Sequence, residues 1–316
     1  IYDNYYQFYS NIVVQNATAS AQDITVEIYE PGNATAVWSD TETNVPAYTS
    51  VTFEQEGLTE LGNNKFYSAK IIGEGGDIAA IVNIYGRVQN DNQLYSYNPF
   101  SQGATTMYAP VIMADFYGYN TALVIQNMDT ADANVTVTYT SGHTENHTIP
   151  PGAPVSLYNP ATPTLAKNNL YSAKVESTNG KLIVALVNES NVYNRAASYS
   201  GFASGSTTVV TPILMKRYFK YNTSITCQNV GTNPTTMTLT YSGVATPSVS
   251  PSIAAGQTHL FYQPGETTLS DGWLGAGTIV ADAGEPIVCV VNEDMNEGAE
   301  AVTVMDQLFA YNGMTP

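Results

Sequence analysis

Two cysteines carry the most definite chemistry in this chain of 316 residues. Cys227 lies in Ile225-Thr226-Cys227 and Cys289 in Ile287-Val288-Cys289-Val290-Val291, apolar runs in which a two-residue period turns both sulfurs inward. The sequence around each recurs twice earlier in the chain, with Val14 and Ile125 standing for Cys227 and Ala80 and Ala185 for Cys289. A large residue facing a small one is what packing across a core demands. A Cys227–Cys289 disulfide is expected to replace that pair in an oxidising compartment, the alternative being two buried free thiols. Closing a loop of roughly sixty residues stabilises a domain by about 4 kcal/mol in the chain-entropy treatment. Neither cysteine stands beside a histidine or in a Cys-x-x-Cys spacing, so redox catalysis and zinc find little support.

Other reactive side chains form no catalytic pattern. The chain has three histidines, His143, His147 and His259. His143 and His147 can meet across a turn or along a strand face, but no third ligand accompanies them. Gly-x-Ser-x-Gly, His-Glu-x-x-His and P-loop sequences are missing. No carboxylate recurs at one place in every copy of the repeat, which argues against a glycosidase pair such as Glu54 and Glu60. Calcium is the better cofactor candidate, at Asp129 and Asp132 after one strand and at Glu293 and Asp294 after another. Both are short loops of hard oxygen ligands without the twelve-residue loop of an EF-hand, and solvated turn carboxylates are the competing reading. Asn-x-Ser/Thr sites at Asn16, Asn33, Asn134, Asn146, Asn188 and Asn222 offer glycosylation in a secreted chain.

The elements that hold these residues are written three times. Tyr119-Asn120-Thr121-Ala122-Leu123-Val124-Ile125-Gln126-Asn127 returns as Tyr221-Asn222-Thr223-Ser224-Ile225-Thr226-Cys227-Gln228-Asn229, and less faithfully as Phe8-Tyr9-Ser10-Asn11-Ile12-Val13-Val14-Gln15-Asn16. Asn64-Lys65-Phe66-Tyr67-Ser68-Ala69-Lys70 matches Asn168-Asn169-Leu170-Tyr171-Ser172-Ala173-Lys174. Runs ending in Val-Asn follow at Asn83, Asn188 and Asn292. Each copy closes on a short aromatic tag, at Tyr97, Tyr199 and Tyr311. A period of about a hundred residues is one small domain, so three are expected, at 1–103, 104–206 and 207–316.

Abundant Thr, Ser, Asn, Val and Tyr with little Lys, Arg and Glu suits strands and polar turns and disfavours helix. Runs of five to nine such residues between Gly, Pro and Asn clusters predict an all-β fold of three tandem sandwiches. The formal charge is −17, from twelve acidic against three basic residues in 1–103, six against four in 104–206 and nine against three in 207–316. Such a surface repels nucleic acid and anionic lipid. No apolar run approaches the ~20 residues of a membrane span. Lys216, Arg217 and Lys220 crowd together where the second copy has Ala114, Asp115 and Gly118, either as a solvated corner or as a contact to an acidic neighbour.

Of the 23 tyrosines, most fall at repeat landmarks, but Tyr2, Tyr5, Tyr6, Phe8 and Tyr9 crowd the first nine residues, a density that calls for a partner surface. The second and third copies open on matched strands beginning Thr105-Thr106 and Thr207-Thr208. Aligning Phe8 with Tyr119 sets Ile1 opposite Ile112, so the first copy lacks nearly all of that strand. Exposed backbone there invites a strand from elsewhere. Either the chain is a fragment of a longer array, or copies join head to tail, with Ile1, Tyr2, Tyr5, Tyr6 and Phe8 making the contact. A contact of that kind propagates into a filament. The opening on Ile1 rather than Met, together with the sequons, predicts secretion after removal of a signal peptide.

The progression from Pro-Ile/Val-x-Met through Tyr-Asn-Thr and Gln-Asn to Val-Asn and Tyr-Asn/Ser-Gly-Phe resembles tandem repeats of large secreted bacterial surface proteins. That resemblance implies immunoglobulin-like sandwiches and an extracellular location, and carries no activity with it. The expectation is a non-enzymatic structural protein of a cell-surface filament, sheath or surface layer, with copies of itself as partners. The alternative is an adhesin or carbohydrate-binding protein holding a glycan in the loops Asn90 to Leu94 and Asn191 to Arg195.

Overall fold

Alternation of apolar and polar residues lays down the strands. Gln22–Tyr29 buries Gln22, Ile24, Val26 and Ile28 and leaves the intervening residues more open, the signature of a strand with one face on a core. The computed structural model describes residues 8–62, 65–86, 93–162, 164–191, 195–295 and 308–316. These contain 23 strands and three short 3-10 turns, and none of their helices is long and apolar enough to cross a membrane. The chain is all-β, and six antiparallel sheets pair into three sandwiches in tandem.

The first sandwich comprises β1 (Phe8–Asn16), β2 (Gln22–Tyr29), β3 (Trp38–Val45), β4 (Ser50–Glu54), β5 (Ser68–Gly73), β6 (Ile78–Gly86) and β7 (Leu94–Tyr97). Its sheets are β4-β1-β6-β7 and β3-β2-β5. The second comprises β8 (Thr106–Ala114), β9 (Tyr119–Asn127), β10 (Ala133–Tyr139), β11 (Thr144–Ile149), β12 (Pro154–Tyr158), β13 (Asn169–Ser177), β14 (Ile183–Asn191) and β15 (Ala196–Ser200). Its sheets are β12-β9-β14-β15 and β11-β10-β13-β8. The third repeats that plan with β16 (Thr208–Lys216), β17 (Tyr221–Asn229), β18 (Met237–Tyr241), β19 (Ser248–Val249), β20 (Thr258–Tyr262), β21 (Trp273–Ala281), β22 (Ile287–Met295) and β23 (Leu308–Asn312), in sheets β20-β17-β22-β23 and β16-β21-β18-β19. Among the described residues, the first sandwich therefore has a three-stranded sheet where the others have four.

The opening strands share one irregularity. β8 carries one extra residue against β13 between Ala109 and Ile112, and β16 does so against β21 between Thr211 and Leu214. Pro110 and Pro212 occupy these bulges, where a missing N–H interrupts no ladder bond. A two-residue turn follows each strand. Tyr117-Gly118 and Phe219-Lys220 all have positive φ, as a type I′ hairpin requires. The side chains of Asn120 and Asn222 accept the N–H of Asp115 and Arg217 at 2.8 and 2.9 Å and brace the turns.

Cys227 and Cys289 are joined, with S–S 2.03 Å and a sequence separation of 62. The packing expectation needs correction, because the pair does not reach across the core. The two residues face each other in register on neighbouring strands β17 and β22, with Cα atoms 4.1 Å apart, the close spacing of an antiparallel pair. Val14 and Ala80 hold that register position in the first copy, and Ile125 and Ala185 in the second. The large-and-small complementarity is thus between sheet neighbours sharing one inner face.

Candidate functional site

The Gln-Asn dipeptide of the repeat is a clasp. Asn16, Asn127 and Asn229 are fully buried at the ends of β1, β9 and β17. Asn127 Nδ2 donates to the carbonyls of Ala131 and Ile149, and Oδ1 accepts the N–H of Asp129. Asn229 does the same with Asn233, Ile253 and Gly231. Asn16 bonds Ser20, Val45, Pro46 and Thr18. The preceding glutamine reaches a neighbouring turn: Gln15 donates to the carbonyl of Tyr48 at 3.2 Å, Gln126 to Gly152 at 3.1 Å and Gln228 to Gly256 at 3.3 Å. Each turn residue has positive φ, 61° at Tyr48, +72° at Gly152 and +79° at Gly256.

The Gly152 and Gly256 turns form the junctions between sandwiches. Ser68 Oγ on β5 donates to the carbonyl of Gly152 in the second sandwich at 2.6 Å. Ser172 Oγ on β13 donates to that of Gly256 in the third at 2.9 Å. Partners and spacing are equivalent, so one contact is used twice. Gln126 adds a bond to the carbonyl of Ala69 and Gln257 one to that of Thr140. Gly152 lies under the ring of Tyr29, where a Cβ would come within 2.7 Å. The last strands complete the contact, with Asn312 Nδ2 donating to the carbonyl of Ser200 at 2.7 Å and Ala196 packed into the first core.

Between the second and third sandwiches lies a cleft of about 680 Å³ walled by Tyr117, Tyr119, Leu260 and Tyr262. Its polar side holds Glu189 on β14 and Asp294 on β22. Asn292 of the third sandwich donates to Glu189 Oε2, while Oε1, also buried, has no hydrogen-bond partner among the described residues. Burial pushes the Glu189 carboxyl up to about 8, against the opposing pull of the Asn292 bond. Asp294 is paired with Arg195 and accepts the Tyr119 hydroxyl, both from the second sandwich. Burial nonetheless raises its pKa and, with the Asp294 charge, that of Tyr119. Sequence reasoning missed Glu189, although one signal was present: it aligns with Ile84, a core residue of the first sandwich.

The structure redistributes the other sequence candidates. Ile1, Tyr2, Tyr5 and Tyr6 lie outside the described residues. Phe8, expected at a subunit contact, packs on the first core with its ring 5.5 Å from that of Tyr95. Asn16, a sequon residue, has no exposed amide, since Nδ2 is spent on three carbonyls. Asn222 is likewise buried, Asn33 and Asn188 are half-buried, and Asn134 and Asn146 are exposed on β10 and β11. Among the calcium candidates, Asp129 pairs with Lys181 at 3.3 Å, Asp132 stands exposed, Glu293 is half-buried and Asp294 is taken by Arg195. Among the described residues no three acidic, histidine or cysteine side chains converge as a metal centre. His143 and His147 flank Glu145 at 3.7 and 3.6 Å. Of the basic cluster of the third copy only Lys216 turns inward, its Nζ donating to the carbonyls of Glu266 and Leu269; Arg217 pairs at the surface with Asp271 at 2.8 Å, and Lys220 is exposed.

No family model and no curated protein matches the chain. Solved structures to which it is similar include Thermotoga maritima 1070, at 20% identity over 32% of this chain and 94% of that one, with a TM-score of 0.27. The major pilin from Streptococcus pyogenes is 12% identical over 80% and 96%, with a TM-score of 0.18. An anti-sigma factor domain-containing protein is 8% identical over 90% and 96%, also at 0.18. All three likenesses are weak, and none bears on function.

Proposed function

We propose that this chain is a non-enzymatic structural protein of the extracellular surface, a subunit of a filament, sheath or surface layer in which copies join head to tail. The observation that carries this reading is the junction used twice, Ser68 to Gly152 and Ser172 to Gly256. One contact repeated along a chain is the geometry of a propagating array. The Cys227–Cys289 disulfide supports an oxidising compartment, and the acidic surface disfavours nucleic acid and anionic membranes. Negative-stain microscopy of the purified chain tests the reading. Regular fibres or sheets are expected, and monodisperse particles at all concentrations would overturn it.

The aromatic cleft beside Glu189 favours a second reading, a glycan-binding surface protein. Stacking walls and an unsatisfied carboxyl oxygen suit a sugar ring. A glycan array probed with the chain decides that alternative, and Tyr262→Ala is expected to abolish any signal.

A further inference from the structure

The cleft between the second and third sandwiches holds a carboxyl that packing does not require. Glu189 shares its register position with Ile84 of the first sandwich, where an apolar side chain serves, and with Glu293 of the third, which is half-buried. Glu189 itself is fully buried and lines the cleft. Asn292 donates to its Oε2, and among the described residues its Oε1 has no partner. A buried polar atom in that state lowers stability unless a further group satisfies it.

The surroundings specify that group. Tyr199, close enough to feel the Glu189 charge, bonds the backbone of Val111 through its hydroxyl, and Thr121, opposite Glu189, bonds that of Met113. Val111 and Met113 both line the cleft, so the space beside the carboxyl is apolar. Among the described residues Arg195 is the cation lining the cleft, and it is paired with Asp294. Burial keeps Glu189 protonated up to about 8. With Oε2 accepting from Asn292, the proton sits on Oε1, which is then a donor. Its missing partner is a strong acceptor on a small apolar group, and an acetamido carbonyl with its methyl is both. Tyr117 of the second sandwich and Tyr262 of the third line the cleft and are exposed, so their rings are free to stack on a sugar. The volume of about 680 Å³ is that of a small-molecule site.

We propose that this cleft binds an N-acetylhexosamine, its acetamido carbonyl accepting from Glu189 Oε1, its methyl against Val111 and Met113, and its ring held by Tyr117 and Tyr262. The proposal rests on the glycan-binding reading and names the class of sugar. It is independent of how copies of the chain assemble.

The test is calorimetric titration of the full chain with oligomers of N-acetylglucosamine, of glucosamine and of glucose. At pH 7 the N-acetylated oligomer is expected to bind at least roughly tenfold more tightly than the other two, the worth of one buried hydrogen bond. Its affinity should hold level up to the folded value of Glu189 and then fall by about tenfold per pH unit, because an ionised carboxylate cannot donate. Glu189→Gln keeps an N–H at the same place, so the variant should still bind at pH 9, with the fall abolished. Tyr262→Ala should lose binding, and Glu293→Gln, outside the cleft, should change nothing. Tightest binding of the glucosamine oligomer would mark an ionised carboxylate meeting an ammonium group and would overturn the proposal, as would the same fall with pH in Glu189→Gln. Equal binding of the three oligomers would sink the proposal and leave the glycan reading standing, whereas binding of none would remove both.

Discussion

Glu189 stands in the second sandwich where Ile84 stands in the first, on the same register position of equivalent strands. An isoleucine there completes a core. A carboxyl there is stripped of water, bound on one oxygen by Asn292 and, among the described residues, left without a partner on the other.

That placement predicts a pH-dependent stability. Folding raises the Glu189 carboxyl from its ordinary value to about 8, so between those values the folded chain holds a proton that the unfolded chain releases. Stability is greatest below the ordinary value and is lost as pH rises through the folded one, by up to about 1.4 kcal/mol per pH unit. Thermal unfolding from pH 5 to 8 should show a falling midpoint, and Glu189→Gln should flatten the fall and gain most at pH 8. A midpoint equally steep in the variant would place the titration elsewhere.

The disulfide has a control built into the repeat. Cys227→Val with Cys289→Ala installs the pair found at Val14 and Ala80, so the cross-link is lost without opening a cavity. The chain-entropy treatment predicts a loss of about 4 kcal/mol in the third sandwich. Urea unfolding followed by Trp273 fluorescence checks it, and reduction of the parent should give the same shift.

The junction glycines should respond unequally to alanine. Gly152 and Gly256 both have positive φ, so both variants lose about 1 kcal/mol in backbone strain. Only at Gly152 does the added carbon also meet a ring, that of Tyr29, whereas nothing lies within 4 Å at Gly256. Gly152→Ala should therefore cost more and loosen the first junction, read as faster proteolysis between the first two sandwiches.

Removing the clasp should be expensive. Asn127→Ala strands the buried carbonyl of Ile149 and the less deeply buried carbonyl of Ala131. A loss of roughly 2–3 kcal/mol is expected, and Asn127→Asp should not rescue it, because a carboxylate would face those carbonyls. Equilibrium denaturation of both variants checks the claim.

The sandwiches were legible because their evidence is periodic: Ile24, Val26 and Ile28 alternate along one strand, and the Tyr-Asn-Thr and Gln-Asn landmarks return in order. The cysteine pairing was legible for the same reason. Its geometry was not, since a two-residue period names the face of a strand without saying whether the partner shares its sheet. Among the described residues β5 pairs with β2 alone. Ser68 and Ser172 were visible as a repeated sequence, but their bonds to Gly152 and Gly256 depend on how whole sandwiches meet. Glu189 stayed hidden for that reason too, because the surface that buries it belongs partly to the third sandwich.

The cross-link between β17 and β22 also fixes how far the third sandwich can give way under tension. Load entering at one cysteine passes directly to the other, so the 62-residue separation between them never joins the stretched length. At about 3.4 Å per residue that withholds roughly 200 Å of slack. A pulled chain would let out from its third sandwich only about half the length that either of the other two releases, which makes that sandwich the stiffest segment of the strand.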